Sequence, residues 1–182
     1  MEDIEIMRLK CEMRKILRKR LKENTQRKDS SIEVCNKLRE LPIFKEADVI
    51  LAFTPMHSEV DITPLFDERF LFPYIEDGKM LYSPAPLEKG RMGFLEPLHK
   101  IDSTYEKALI LVPALAFSKD FRRLGRGGGF YDRYLSQNRD KLYSIGLSFD
   151  MNLLDVVPFD HHDELLDMII TESKILTRQE QK

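Results

Sequence analysis

The segment Arg122-Arg-Leu-Gly-Arg-Gly-Gly-Gly-Phe-Tyr-Asp-Arg-Tyr-Leu135 contains the residue types that hold a phosphorylated ligand. Four of the chain's eight glycines fall between Gly125 and Gly129. Glycine admits φ > 0 and lets the backbone pass close to a ligand, so successive N–H groups can converge on phosphate oxygens. A helix starting just after the loop adds its own free N–H groups and the positive end of its dipole. Arg122, Arg123 and Arg126 supply cations that a plain flexible linker does not need. No Gly-Lys-Ser/Thr follows the glycines, so this is not a P-loop. Asp132, in the first predicted turn, suits two roles. One is a dipole-complementing carboxylate worth about 0.3–1 kcal/mol; the other is a Mg²⁺ ligand beside bound phosphates.

A second cationic feature lies near the start of the chain. On a helical wheel with Lys10 at zero, Ile6, Leu9, Met13, Ile16, Leu17 and Leu21 span roughly −120° to +20°. Lys10 and Arg20, at about −80°, lie inside that arc, and Arg14, at about +40°, lies on its edge. A single basic residue on an apolar stripe usually snorkels to water. Three together point to an inward-facing anion site, because a buried cation needs a partner. A nucleotide triphosphate suits such a set, with Lys as a point charge and Arg as a bidentate fork.

Asp167 interrupts the apolar run Leu165-Leu-Asp-Met-Ile-Ile170. A carboxylate there needs a cation, a metal or hydrogen-bond donors, unless it faces solvent at a sheet edge. Phe53-Thr-Pro-Met-His-Ser-Glu-Val-Asp61 leaves a predicted strand with two carboxylates, Glu59 and Asp61. They suit an N–H-rich heterocycle, although solvent exposure or capping by Asp61 explains them equally. His161-His162-Asp163 has no third ligand at usable spacing and reads as a structural loop.

These residues must be positioned by a fold, and the patterning indicates which. Apolar spacing predicts a helix over 3–24 and a second from an N-cap at Ser30 or Ser31 through Leu41. Asp48–Thr54, Phe70–Phe72, Ala108–Val112, Leu142–Ser148 and Leu166–Thr171 read as strands, and Phe130–Asn138 as a helix. Thr63–Arg69 is a further helix candidate. Short apolar strands alternating with helices predict an α/β fold with a largely parallel central sheet. Ligands in such folds collect at the carboxyl ends of the strands, where the informative loops fall.

The chain has 182 residues, 42% hydrophobic and 33% charged, and no repeat or linker, which predicts one domain over 1–182. A formal charge of −2 offers no global field for nucleic acid or an acidic membrane surface. Cys11 and Cys35 form neither a disulfide framework nor a metal spacing. The acidic start lacks a signal-peptide pattern, and no stretch has the length of a membrane span, so a cytoplasmic protein is expected.

Taken together, the motifs resemble those of the 5-formyltetrahydrofolate cyclo-ligase (methenyltetrahydrofolate synthetase) family. The most specific match is Leu111-Val-Pro-Ala-Leu-Ala-Phe117 followed by Arg123–Leu135. Lys10, Arg14 and Arg20, Glu59-Val-Asp61, Met92-Gly-Phe-Leu-Glu-Pro97 and His162-Asp163 before Leu166-Asp167 follow in the family's order. The resemblance covers nearly the whole chain. It departs from the family pattern at Ala114, in place of a usual Gly, and at Phe130, in place of a usual Tyr.

The resemblance implies a single-domain three-layer fold of the sugar-isomerase/CoA-transferase type. It implies an enzyme, a C–N bond-forming ligase that uses ATP and Mg²⁺ to close 5-formyltetrahydrofolate to the 5,10-methenyl form. Carried over, Lys10, Arg14, Arg123, Leu124, Gly125, Arg126, Gly127, Gly128, Gly129, Phe130 and Tyr131 would hold the nucleotide, with Arg20 a third cation. Met56, Glu59 and Asp61 would line the folate pocket, with Arg126 to Phe130 facing its reacting end. Arg126 and Tyr131 would act at the reaction centre, and Asp132 and Asp167 would bind Mg²⁺. The expected partners are these small molecules, with no nucleic acid or membrane, and the chain is expected to be a monomer.

Overall fold

The computed structural model describes residues 2–90 and 95–179. Among the described residues there are four helices: α1 (Glu2–Lys22), α2 (Arg27–Glu40), α3 (Pro42–Lys45) and α4 (Phe130–Gln137). The first strands are β1 (Ile50–Leu51), β2 (Phe70–Glu76), β3 (Lys79–Pro84), β4 (Leu87–Lys89), β5 (Leu95–Pro97) and β6 (Ala108–Pro113). They are followed by β7 (Ala116–Ser118), β8 (Arg123–Leu124), β9 (Leu142–Leu147), β10 (Leu153–Leu154), β11 (Met168–Ile170) and β12 (Ile175–Thr177).

The main sheet has the order β12-β11-β9-β6-β1-β2-β3. Its five central strands are parallel, and β12 and β3 close the two edges antiparallel. A small sheet, β10-β7-β8, stands beyond the carboxyl end of β6, and β4 pairs with β5. Two buried clusters cover the two faces of the main sheet. Ile50, Leu109 and Leu111 join Leu17, Leu21, Val34 and Leu38 of α1 and α2 in one cluster. Leu51, Ile110 and Val112 join Leu135 of α4 and Tyr82 of β3 in the other. This alternation along β6 follows from the two-residue strand period, and burial on both faces explains its unbroken apolar run. The expected three-layer α/β arrangement with a mostly parallel sheet is therefore observed.

Several elements differ in extent from the sequence expectation. The helix expected over Thr63–Arg69 is a single 3-10 turn, Thr63–Leu65, after which Phe66 is already extended. The second helix begins at Arg27, earlier than expected, with Gln26 at its N-cap. Ser31 lies inside it, donating its hydroxyl to the Arg27 carbonyl at 2.7 Å. The strand expected over 48–54 has only Ile50 and Leu51 in regular pairing, although Val49 and Ala52 also bond to neighbouring strands. Of the motif Met92–Pro97, residues 92–94 lie outside the described residues, and the remainder is β5.

Candidate active site

The connection from β6 to β9 leaves the carboxyl edge of the sheet, passes through β7 and β8, and enters α4 through residues 125–129. Gly127 and Gly129 have φ of +111° and +64°, which side-chain-bearing residues rarely adopt. Gly129 is the N-cap of α4, and no side chain caps the helix start. The first N–H groups of α4 are therefore directed out of the helix end without a side-chain acceptor, the arrangement that suits an anion.

Helix α1 holds this loop from the other side. Arg14 Nε donates to the Gly125 carbonyl at 2.9 Å, and Arg18 Nη2 donates to the Arg126 carbonyl at 3.3 Å. A β-carbon on Gly127 would stand 3.6 Å from the Arg14 guanidinium carbon, so the loop and this cation are in close register. Lys10, one turn before Arg14, is 7% exposed. Its ammonium donates to Asp160 at 2.6 Å and to Asp163 at 2.5 Å. The inward-facing lysine thus has its anion, in the loop beside His161 and His162. Desolvation opposes ionisation of Asp160, but the Lys10 and His162 N–H bonds together hold its carboxyl below the usual range.

Asp132 lies against the same segment. Its Oδ2 pairs with Arg123 at 2.7 Å, and its Oδ1 accepts the Glu164 N–H at 3.4 Å. Arg123 is almost wholly buried and also sits 5.4 Å from the centre of the Tyr131 ring. Among the described residues its Nε has no partner.

The second wall is the loop that follows β1. Glu59, 7% exposed, accepts Arg126 Nε and Nη2 on Oε1 at 3.1 and 2.9 Å. Its Oε2 accepts the Met56 N–H at 3.0 Å. Arg126 Nη2 also donates to Ser58 Oγ at 3.0 Å. Arg27 of α2 fixes the loop backbone by donating to the carbonyls of Glu59, at 2.8 Å, and Met56, at 3.3 Å. Burial, aided by the nearby Glu59 charge, pushes the Tyr131 phenol far above its ordinary range, so it is neutral.

The structure thus gathers Lys10, Arg14, Arg123, residues 125–131, Asp132, Met56 and Glu59 around one place, and it sends other expected residues elsewhere. Arg20 is exposed, along with Leu9 and Ile16. The buried face of α1 runs through Lys10, Leu17 and Leu21, so the true inward direction is centred near Lys10 and excludes Arg20. Leu124 packs into the core, and only its backbone reaches the loop. Asp61 Oδ1 accepts the N–H and hydroxyl of Thr63 at 3.1 and 2.7 Å, an Asx turn that leads into the 3-10 turn.

Asp167, expected to act with Asp132, has partners of its own in this structure. Its carboxylate accepts from Arg139, from Arg178 at 3.0 Å, and from the N–H and hydroxyl of Ser144 at 2.8 and 2.7 Å. Arg139 lies past the end of α4, whereas Asp132 is in its first turn. Asp167 is thus held by cations and donors of its own, apart from the Arg123 pair that holds Asp132. The segment that the fold brings against Asp132 is the one just after Asp163, through the Glu164 N–H. Sequence reading passed over Asp160, Ser58 and Arg27 and took Asp163 for part of a structural loop. The available signal was Lys10 itself, whose inward position required an acid from elsewhere in the chain.

A separate cleft of about 490 Å³ is lined by Lys79, Met80, Tyr105, Phe130, Arg133 and Tyr134, among others. Of the residues placed in the site above, only Phe130 lines it.

Fold and site together define an α/β protein in which a glycine-rich loop, held by arginines, meets a buried glutamate beyond the carboxyl edge of a parallel sheet. Within that class the chain belongs to the 5-formyltetrahydrofolate cyclo-ligase family, whose pattern matches residues 5–172. A 5-formyltetrahydrofolate cyclo-ligase of Mycolicibacterium smegmatis is 35% identical over 145 residues, covering 69% of this chain and 74% of the relative. A probable 5-formyltetrahydrofolate cyclo-ligase of Schizosaccharomyces pombe is 26% identical over 179 residues, covering 80% and 85%. The solution structure of the Aquifex aeolicus 5,10-methenyltetrahydrofolate synthetase superposes with a TM-score of 0.80 at 32% identity, covering 93% of this chain and 92% of that one.

Proposed function

We propose that this chain converts 5-formyltetrahydrofolate to 5,10-methenyltetrahydrofolate with consumption of ATP. The observation that carries the reading is the meeting of two unlike sites. A cationic, N–H-rich loop clamped by Arg14 faces a buried acceptor, Glu59, that suits the N–H edge of a heterocycle. In this reading the formyl oxygen attacks the γ-phosphorus of ATP and ADP departs. N10 then adds to the formyl carbon and gives up its proton to solvent, and the C–O bond breaks as the oxygen leaves with phosphate. Each step changes the charge on oxygen atoms, so the protein contributes mainly by positioning groups and neutralising charge.

Lys10, Arg14 and the N–H groups of residues 125–131 hold the triphosphate. Glu59 accepts from the pterin, and the Met56 loop, pinned by Arg27, forms the wall behind it. Arg126 neutralises charge on the transferred phosphoryl group. Neutral, half-buried Tyr131 packs behind the loop and fixes the direction of Arg123 and Asp132.

Mg²⁺ fits Asp132 together with Asp163. Glu164 N–H touches the Asp132 carboxylate, which brings Asp163, its neighbour in the chain, to the same corner. The described residues contain no cluster of three or more His, Cys, Asp or Glu that could hold a metal. Mg²⁺ needs fewer protein donors than that, since one or two carboxylates suffice when phosphates and waters complete the set. The ion would supply charge neutralisation between the phosphates. Asp132 and Asp163 would hold it, and their present cations, Arg123 and Lys10, would turn toward phosphate oxygens.

The sequence of bond changes is tested with substrate carrying ¹⁸O in the formyl group. Phosphorus NMR should show one ¹⁸O in each phosphate released. Unlabelled phosphate alongside methenyl product would contradict phosphorylation of the formyl oxygen.

A further inference from the structure

Arg126 occupies the acceptor that the proposed substrate needs. The two oxygens of Glu59 are both engaged, Oε1 by the Arg126 guanidinium and Oε2 by the Met56 N–H. A guanidinium presents a planar N–C–N edge of donors. The pterin ring presents the same edge through its N3–H and 2-amino groups. Arg126 therefore stands in the place of the heterocycle, with Ser58 Oγ as its second acceptor.

The loop that contains Arg126 is held by its backbone, at the Gly125 and Arg126 carbonyls, by Arg14 and Arg18. Its side chain is a third exposed, while the Glu59 side chain is 7% exposed. The arginine side chain can therefore swing on a fixed base, and the carboxylate cannot follow it. A deeply buried carboxylate left without a donor is strongly unfavourable. Arg126 leaves Glu59 readily only if another anion receives the guanidinium and another donor edge reaches the carboxylate.

We infer that Arg126 is an exchangeable plug that couples the two substrates. Bound nucleotide draws its guanidinium onto the phosphates and opens Glu59 to the pterin, and the pterin in turn sends Arg126 to the nucleotide. This rests on the functional reading above and adds to it a mutual strengthening of ATP and folate binding. Reciprocity follows from linkage, since each ligand must change the affinity of the other by the same factor.

The test is the affinity for 5-formyltetrahydrofolate, by calorimetry, with and without Mg²⁺ and an ATP analogue that cannot transfer its γ-phosphate. In the wild type, the analogue should tighten folate binding by roughly 5-fold to 150-fold, the usual range of such coupling. Arg126→Ala should bind folate more tightly than nucleotide-free wild type, and the analogue should then add less than about twofold. Ser58→Ala, which removes one of the three bonds and keeps the arginine, should shift nucleotide-free affinity in the same direction by a smaller factor. The plug is overturned if wild-type affinity is indifferent to the analogue, or if Arg126→Ala retains the full enhancement. Absence of folate binding by the wild type under every condition would instead overturn the functional reading, and the plug with it.

Discussion

Asp163 and Asp167 stand four positions apart in the chain, yet they serve opposite ends of α4. Asp163 pairs with Lys10 beside the glycine loop, while Asp167 ties together Arg139, Arg178 and Ser144. Desolvation works against the Asp167 charge, but the Ser144, Arg178 and Arg139 bonds outweigh it and depress its carboxyl below the usual range. Asp132→Asn and Asp163→Asn should each lower kcat at least 100-fold and move activity to higher Mg²⁺ concentration while leaving Tm nearly unchanged. Asp167→Asn should do the reverse. Its kcat per folded molecule should stay within about twofold, and its stability should fall by on the order of 2–4 kcal/mol, because two arginines lose their common partner. Steady-state kinetics and thermal melts on the three variants decide between these roles. The sequence showed that a buried Asp167 needs a partner. It could not show that the chain after α4 supplies an arginine, because that pairing depends on where a helix ends and a strand begins.

At the scale of elements, α1 and the glycine loop form one clamp, and the clamp sorts the helix's cations. Lys10 and Arg14 face the loop, while Arg20 shares the exposed side with Leu9 and Ile16. Arg14→Ala should raise the KM for ATP about tenfold or more, in line with losing a charged hydrogen bond of roughly 1.5–3 kcal/mol. Arg20→Ala should leave it within about twofold. Gly127→Ala forces a side chain into φ of +111°, at a cost of roughly 1–2 kcal/mol, and should raise the same KM about 5-fold to 30-fold. Initial-rate measurements over ATP concentration check all three. The wheel correctly put Lys10 inward, since Leu17 and Leu21 lie on its face. It misplaced Arg20 because Leu9 and Ile16 entered the stripe by residue type, although this helix leaves them in water. Glycine spacing was the stronger signal, since positive φ at Gly127 and Gly129 is a backbone requirement that residue type reports directly.

At the scale of the molecule, the parallel sheet places both walls of the site at its carboxyl edge and the Asp167 cluster at its amino edge. The central strands were legible because burial on both faces demands continuous apolar runs, as in Ala108–Val112. The two-residue and three-residue strands β8, β10 and β12 were not, since pairing across the fold rather than local pattern creates them. The separation of the two edges has a consequence for acid stability. Asp167 has a folded pKa below its unfolded value of about 3.9. Its contribution is therefore complete above that value and is lost as pH falls through the folded one. The Tm gap between wild type and Asp167→Asn should be constant from about pH 8 to 5 and should close below about pH 4. A gap that persists unchanged at low pH would contradict the depressed carboxyl.

In the proposed function the two walls hold two substrates of one reaction. The direct measurement is near-ultraviolet absorbance on mixing the protein with 5-formyltetrahydrofolate, ATP and Mg²⁺, with controls lacking ATP or protein. Growth of the methenyl band, which the substrate lacks, is expected only in the complete mixture. A flat trace from folded protein with ATP bound would contradict it.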